Sequence, residues 1–183
     1  IMAIELSIIV PAYNEEHRIK PTINEYLSSF KETHDGRFEI IVVLNGCKDS
    51  TRQVVDRIKA QSEELEILEF DKPLGKGGAI IQGMNHARGT IIAYVDADNM
   101  VSADETQKLV SALKNSDVAI ADRFNGKQLS KSQPFIRRLI SICSRLWIKF
   151  FLSLPYSDTQ CGAKAFKATA WELLADKVFE TGW

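Results

Sequence analysis

The hydrophobic pattern of the chain consists of short apolar runs, rich in β-branched residues, that alternate with longer amphipathic stretches. Proline, glycine, asparagine or aspartate bounds most of these runs, and these residues commonly end strands. Short bounded runs of this kind predict buried strands. The predicted strands are ELSIIVPAYN at 5–14, which Pro11 is expected to end, RFEIIVVLNG at 37–46, ELEILEF at 64–70, TIIAYV at 90–95 and DVAIAD at 117–122.

The stretches between the runs carry apolar residues at helical spacing. Four helices are predicted. The first covers about 19–33, and the second is capped by Asp49 or Ser50 and runs to about 61. The third follows the glycine-rich turn at Gly75 and ends near Gly89, and the fourth covers about 103–114. Strands that alternate with helices predict a mostly parallel sheet with helices on both faces, which is a three-layer α/β/α architecture.

Composition and charge exclude several classes of protein. The length of 183 residues suits one domain, and 45% hydrophobic and 26% charged residues are ordinary values for a globular protein. The net charge of -1 creates no general attraction to nucleic acid, so no nucleic-acid partner is expected. The three cysteines and three histidines are scattered, which predicts a reduced, cytoplasmic protein without a zinc site. No apolar run reaches the roughly 18 residues of a membrane span.

Two aspartates, Asp96 and Asp98, directly follow the predicted strand at 90–95. They share a face while the strand continues, because successive strand side chains alternate. Mg²⁺ and Mn²⁺ prefer oxygen ligands and usually take one or two carboxylates together with substrate phosphates. The pair therefore indicates a site for Mg²⁺ or Mn²⁺ beside a diphosphate leaving group. Two aspartates at this spacing are also common in solvated strand-to-loop turns.

Other polar segments follow the remaining predicted strands, and ligands of parallel α/β sheets bind outside the carboxyl ends of the strands. The segment after the first strand offers the aromatic ring of Tyr13 and the carboxylate of Glu15, which suit a base and a ribose. Lys76 and the backbone N–H groups at a helix start suit a phosphate, although the glycine spacing matches neither the Walker nor the dinucleotide motif. These segments together predict a single binding crevice.

The chain resembles family 2 of the glycosyltransferases, which have the Rossmann-like GT-A fold, through five segments that occur in the same order. Within that family it is most similar to the polyprenyl-phosphate sugar transferases, such as the dolichyl-phosphate β-glucosyltransferases. The segments lie within residues 10–167 and read VPAYNEEHRI, KGGAIIQGM with ARG after it, VDADN, ADRF and DTQCGAKAF.

For the donor, the resemblance implies nucleotide contacts from Pro11, Tyr13 and Glu15. It places Asp96 against the ribose or the sugar and Asp98 on the metal that the diphosphate shares. In relatives, the second strand ends in paired aspartates, whereas this chain has Leu44-Asn45-Gly46. Since an asparagine can also hydrogen-bond a base, Asn45 is a further candidate for donor binding.

For the acceptor, the resemblance implies that Arg123 lies near the acceptor phosphate and that Asp158 lies near the reacting centre. Gln160 belongs to the same loop as Asp158. The segment at 134–154 predicts an amphipathic helix with a basic arc that includes Arg137. Such a helix suits either a membrane interface or a domain core, and the resemblance favours the interface, with Arg137 on the acceptor phosphate.

The resemblance implies inverting transfer of a hexose, with glucose favoured, from a nucleotide sugar to a polyprenyl phosphate at the cytosolic face of a membrane. UDP-glucose is favoured as donor over GDP-mannose. The alternatives are a family 2 transferase that acts on a glycan or another hydroxyl acceptor and a nucleotide-sugar binding module without turnover. We expect one catalytic domain over 1–183, and relatives continue past the final Gly-Trp pair, so we expect a longer native protein.

Overall fold

The computed structural model describes residues 3–121 and 161–178 of the chain. Contacts divide the chain into two compact units, Ile1–Ala119 with Gly162–Trp183, and Ile120–Cys161. The first unit contains the site discussed below and every strand residue except Ile120, the last residue of the fifth strand. Nearly all of the second lies outside the described residues.

The described residues form six strands and five helices. The strands are β1 Leu6–Ala12, β2 Phe38–Asn45, β3 Leu65–Phe70, β4 Ile91–Tyr94, β5 Val118–Ile120 and β6 Lys164–Lys167. The helices are α1 Ile19–His34, α2 Thr51–Lys59, α3 Gly75–His86, α4 Ala103–Ala112 and α5 Ala168–Ala175. In the sheet, the order is β3-β2-β1-β4-β6-β5. The pairs β1–β2, β1–β4 and β2–β3 are parallel and β4–β6 is antiparallel, which confirms the predicted mostly parallel sheet.

Helices cover both faces of the sheet. On one face, α3 and α5 pack over alternate strand residues, and Ile9, Ile41 and Ile92 join Trp171 in one buried cluster. Helices α1, α2 and α4 pack on the opposite face. All residues of β1 and β2 are buried, because these central strands have helices on both sides.

The prediction that Pro11 ends the first strand is wrong, since β1 continues to Ala12 and Pro11 pairs with Val43 of β2. Odd-numbered residues of β1 direct their backbone groups towards β4, as shown by the bond from the N–H of Val95 to the carbonyl of Ile9 (2.9 Å). The β1–β4 pairing ends at Ile9. Pro11 lies beyond the last residue that pairs with β4. Its lack of an N–H therefore costs the sheet no hydrogen bond.

Other differences concern element ends and short elements. Helix α3 begins at Gly75, inside the predicted glycine-rich turn, because Gly75 adopts a positive φ of 75° that turns the chain directly into the helix. It ends at His86 rather than near Gly89. Ser50 is the N-cap residue of α2, although its side chain makes no cap bond. Strand β6 and helix α5 lie outside the elements that the sequence pattern predicts.

A buried carboxylate links three elements at the amino-terminal edge of the sheet. Glu39 is 1% exposed and accepts hydrogen bonds from the Ser7 hydroxyl (2.6 Å), the Arg88 backbone N–H (2.9 Å) and the Arg88 Nε (2.9 Å). Burial by itself would raise the pKa of Glu39, but the bonds from Arg88 and Ser7 outweigh burial and hold that pKa below its usual range. The carboxylate is therefore charged and fully bonded at neutral pH.

We expect Glu39→Gln to lower the free energy of unfolding by about 2 kcal/mol at pH 7, since bonds to a charged group contribute about 1.5–3 kcal/mol. The folded-state pKa lies below the unfolded one, so this contribution is present above about pH 4.5 and is lost as the pH falls through the folded-state pKa. Urea unfolding at pH 7 measures the first effect, and a series of urea unfolding curves that continues well below pH 4.5 measures the second. Glu66→Gln is the matched control, because Glu66 is partly exposed and lies 3.7 Å from the same Arg88, and we expect a change below about 1 kcal/mol.

Candidate functional site

A cavity of about 700 Å³ opens at the carboxyl edge of the sheet. Its walls come from the ends of β1, β2 and β4 and from the connection between β3 and α3. The lining residues are Pro11, Ala12, Tyr13, Glu15, Arg18, Asn45, Pro73, Leu74, Gly75, Lys76, Asp96, Ala97 and Asp98. The volume falls within the range of about 300–1,000 Å³ that is usual for small-molecule sites.

The first wall is the segment between β1 and α1. Tyr13 is 51% exposed, so its ring is available to a ligand. The carboxylate of Glu15 accepts one hydrogen bond from the guanidinium of Arg18 at Oε1 (2.8 Å), and its Oε2 lies 2.7 Å from Arg18 Nε in the same ion pair. The Glu15 side chain is only 16% exposed, and the Arg18 side chain is 59% exposed. This wall therefore presents an aromatic ring and a paired carboxylate.

The second wall is the end of β2, where Asn45 is 5% exposed. The side-chain oxygen of Asn45 accepts from the Leu74 N–H (2.7 Å), and its amide nitrogen donates to the Gly75 carbonyl (3.1 Å). Asn45 thus holds the connection that leads into α3. The predicted turn at Asn45-Gly46 is present, because Gly46 has φ 71° and a Cβ there would lie 2.9 Å from Pro73.

The third wall contains an ion pair across the cavity. Lys76 Nζ, in the first turn of α3, lies 2.6 Å from Asp96 Oδ1 after β4. Gly162 packs directly against the same carboxylate, because a Cβ on Gly162 would overlap Asp96 Oδ2. The carboxylate of Asp96 is therefore held between the ammonium group of Lys76 and the backbone of Gly162.

Asp98 differs from Asp96 in its partners. Its Oδ1 accepts from the Met100 N–H at 3.2 Å, and no ion pair to it occurs among the described residues. Within the same part of the chain, no three histidine, cysteine or acidic side chains form a metal-binding group. The two carboxylates nevertheless fit Mg²⁺ or Mn²⁺, since these ions complete their oxygen ligand sets with substrate phosphates and water.

The predicted donor and metal residues that fall within the described residues all line this cavity. They are Pro11, Tyr13, Glu15, Asn45, Lys76, Asp96 and Asp98. Their individual roles stay predictions. Asp98 is also the one predicted catalytic residue among the described residues. The other predicted catalytic and acceptor residues lie outside the described residues, together with the predicted helix at 134–154, and they are Arg123, Arg137, Asp158 and Gln160.

Sequence reasoning missed the arginine and the loop apolar residues of the cavity. Arg18 carries a detectable signal, because an acidic and a basic residue three apart at a helix start commonly pair. Pro73 and Leu74 carry no such signal, since the loop that contains them is held by the bonds of Asn45 to Leu74 and Gly75, which are distant in sequence. Among the described helices, none combines the length and the apolar character required to cross a membrane.

The family model for glycosyl transferase family 2 matches residues 7–171 of this chain. Glycosyltransferase AglD of Haloferax volcanii is 32% identical over 98% of this chain and 29% of its own length. Dolichyl-phosphate beta-glucosyltransferase of Drosophila melanogaster is 31% identical over 99% of this chain and 60% of its own length. The chain thus spans less than two thirds of the length of these relatives.

Solved glycosyltransferase structures share the fold. Mannosyltransferase PcManGT from Pyrobaculum calidifontis, in complex with GDP-Man and Mn²⁺, has a TM-score of 0.61 and 23% identity over 94% of this chain and 47% of its own. Glucosyl-3-phosphoglycerate synthase from Mycobacterium tuberculosis, in complex with Mn²⁺, UDP and glucosyl-3-phosphoglycerate, has a TM-score of 0.62 and 21% identity over 90% of this chain and 57% of its own. The match of the family model over most of the chain, together with this GT-A architecture, shows that the chain belongs to glycosyl transferase family 2, a family of glycosyltransferase enzymes.

Proposed function

We propose that the protein transfers a hexose, in the first instance glucose, from a nucleotide-diphosphate sugar to a polyprenyl phosphate with inversion at the anomeric carbon. The observation that carries the proposal is the cavity at the carboxyl edge of the sheet, which combines an aromatic wall, a helix start with Lys76 and the carboxylates Asp96 and Asp98. The names of the relatives support the glucosyl donor and the lipid phosphate acceptor.

The donor half of the cavity has complementary chemistry for a nucleoside diphosphate. Tyr13 offers a face for the base, and Pro11 and Glu15 line the adjacent wall for the ribose. The first turn of α3 contains no acidic residue, so its free N–H groups and Lys76 present positive charge. A diphosphate between this helix start and the Asp98 side of the cavity meets that charge.

Asp98, with Asp96 beside it, would hold a divalent metal ion, Mg²⁺ or Mn²⁺. When bound, the ion supplies charge neutralisation for the departing diphosphate. The protein residues do the remaining positioning. Lys76 keeps the negative charge of Asp96 balanced, and Asp96 is thereby held at the edge of the cavity where the ribose or the sugar would lie.

The acceptor needs orientation more than activation. A phosphate monoester already carries about -1.5 to -2 charges at neutral pH, so its oxygen needs little help from a general base. We assign Arg123, Arg137 and Gln160 to the acceptor phosphate and Asp158 to orienting the acceptor at the reacting centre. Transfer then depends on proximity and charge complementarity, and we assign the helix predicted from the sequence at 134–154 to the membrane surface.

A transfer assay with matched donors and acceptors tests the proposal. We expect UDP-glucose with Mn²⁺ to yield a glucosyl lipid from a short polyprenyl phosphate in detergent, and the corresponding polyprenyl alcohol to yield none, because it lacks the anionic head. GDP-mannose is the donor control. Sugar transfer to hydroxyl acceptors, with the lipid phosphate ignored, would overturn the acceptor assignment. UDP binding without transfer to any acceptor would favour a binding module.

A further inference from the structure

We infer that Asp49 and Thr51, which do not line the cavity, are positioning residues that fix the Glu15 wall for the donor. The inference rests on the proposed donor site and adds to it the part of the fold that holds it in shape. At this end of the sheet, Asn45 lines the cavity as the last residue of β2, whereas Asp49 and Thr51 bond the neighbouring loop instead.

The central link is a relay of two hydrogen bonds. The backbone N–H of Glu15 donates to Thr51 Oγ1 (2.8 Å), and the Thr51 hydroxyl donates to Asp49 Oδ1 (2.5 Å). Thr51 is fully buried, so no bulk water replaces either bond if the hydroxyl is removed. The carbonyl of Glu15 accepts from the N–H groups of Arg18 and Ile19, so the same residue also closes the turn that leads into α1.

Further bonds join the same two loops on either side of Glu15. The Glu16 N–H donates to Asp49 Oδ2 (3.2 Å), and the Lys48 N–H donates to the side-chain oxygen of Asn14 (2.8 Å). Asn14 has a positive φ of 56°, a conformation that needs such support in a residue other than glycine. The loop that carries the donor wall is therefore fixed by the loop after β2 at three consecutive residues.

The charge of Asp49 suits this role. Desolvation alone would raise its pKa, but the hydrogen bonds from Thr51 and Glu16 outweigh desolvation and keep the pKa of Asp49 below its usual range. Asp49 therefore remains an acceptor of three protein hydrogen bonds at neutral pH, two from Thr51 and one from Glu16. Among the described residues, Asp49 and Thr51 bond each other and the loop of Glu15 and Glu16, and they make no bond to Asp96 or Asp98. We therefore expect them to affect donor affinity and not the transfer step.

Thr51→Val tests the relay, because valine keeps the branched shape and removes only the hydroxyl. We expect the dissociation constant for UDP with Mn²⁺, measured by calorimetry, to rise about fivefold, and the donor KM to rise by the same factor. This is the fold-change that corresponds to the loss of one typical hydrogen bond. We expect kcat to stay within about twofold of the wild-type value. Thr51→Ser keeps the hydroxyl and should restore both constants to near wild type. Thr33→Val, on the exposed part of α1, is the matched control and should change neither.

Two comparisons decide the inference. If Glu15→Ala weakens UDP binding but folded Thr51→Val does not, the inference is overturned while the donor site stands. If Glu15→Ala itself leaves UDP and GDP binding unchanged, the proposed donor wall is wrong and the inference falls with it. If Thr51→Val does not fold by circular dichroism, Asp49→Asn decides, and unchanged UDP affinity in that variant overturns the inference. Binding of UDP is independent of acceptor choice, so failure of the lipid assay is a separate result.

Discussion

Asp98→Asn should lower the rate of sugar transfer about 100-fold or more and remove the dependence of UDP binding on Mn²⁺. Asparagine keeps an oxygen for the Met100 N–H, which is 3.2 Å away, so the turn should persist while the charge is lost. A metal ion lowers the free energy of a charged transition state by several kcal/mol, and each tenfold change in rate corresponds to about 1.4 kcal/mol. Calorimetry with UDP, with and without chelator, provides a measurement that does not depend on turnover.

The matched control is Asp104→Asn, which removes a carboxylate from the exposed first turn of α4. We expect it to cost only a fraction of a kcal/mol in stability through the helix dipole and to leave transfer unchanged. Full wild-type activity in chelator would contradict the metal assignment. Equal UDP affinity of Asp98→Asn and wild type, both with Mn²⁺, would contradict the assignment of the metal to Asp98.

The parallel core could be predicted because its sequence signal is local. The continuous β-branched runs of β1 and β2 indicate strands that are buried on both faces, and the amphipathic stretches between the runs predict helices. The carboxyl-edge rule then places the residues at or after the ends of β1, β2, β3 and β4 near one another without any structural data. That rule is sufficient to gather seven candidate residues around one cavity.

The parts that sequence reasoning missed depend on contacts between distant segments. Strand β6 is short, and it is stabilised by antiparallel pairing with β4, which lies far earlier in the chain. A run as short as Lys164–Lys167 has no reliable period of its own. Pro11 likewise predicts a strand end from its local chemistry alone. Whether its missing N–H removes a hydrogen bond of the sheet depends on where the pairing of β1 with β4 stops.

The two aspartates after β4 show the same limit in the site itself. Sequence spacing alone treats Asp96 and Asp98 as equivalent metal ligands. The fold supplies Asp96 with a protein cation, Lys76 at 2.6 Å, from the start of the preceding helix α3. Asp98 forms no ion pair with a lysine, arginine or histidine of residues 3–121 and 161–178. The repulsion expected between two close carboxylates is therefore reduced at one of them before any ligand arrives.

Gly162→Ala should disrupt the position of Asp96 and lower transfer about tenfold or more. The added Cβ would overlap Asp96 Oδ2 and lie 2.5 Å from its Cγ, so either the carboxylate or the backbone at Gly162 must move. Because Lys76 holds the other oxygen of Asp96, movement of the carboxylate would also break that ion pair. Overpacking of this kind costs about 1–3 kcal/mol of stability, which thermal unfolding would detect.

A double-mutant cycle with Asp96→Ala separates this contact from general damage to the fold. When the carboxylate is absent, the Gly162→Ala substitution has no close atom of Asp96 to displace, so its cost in stability and in UDP affinity should largely disappear. For the measurement of stability, Gly77→Ala is the control for adding a methyl group, since no atom lies within 4 Å of the added Cβ and alanine favours a helix. It is not a control for UDP affinity, because Gly77 belongs to the helix start assigned to the diphosphate. Equal costs of Gly162→Ala with and without the Asp96 carboxylate would show that Gly162 acts on the backbone alone. A large coupling would instead show that a glycine from a distant part of the chain sets the position of the first carboxylate of the pair.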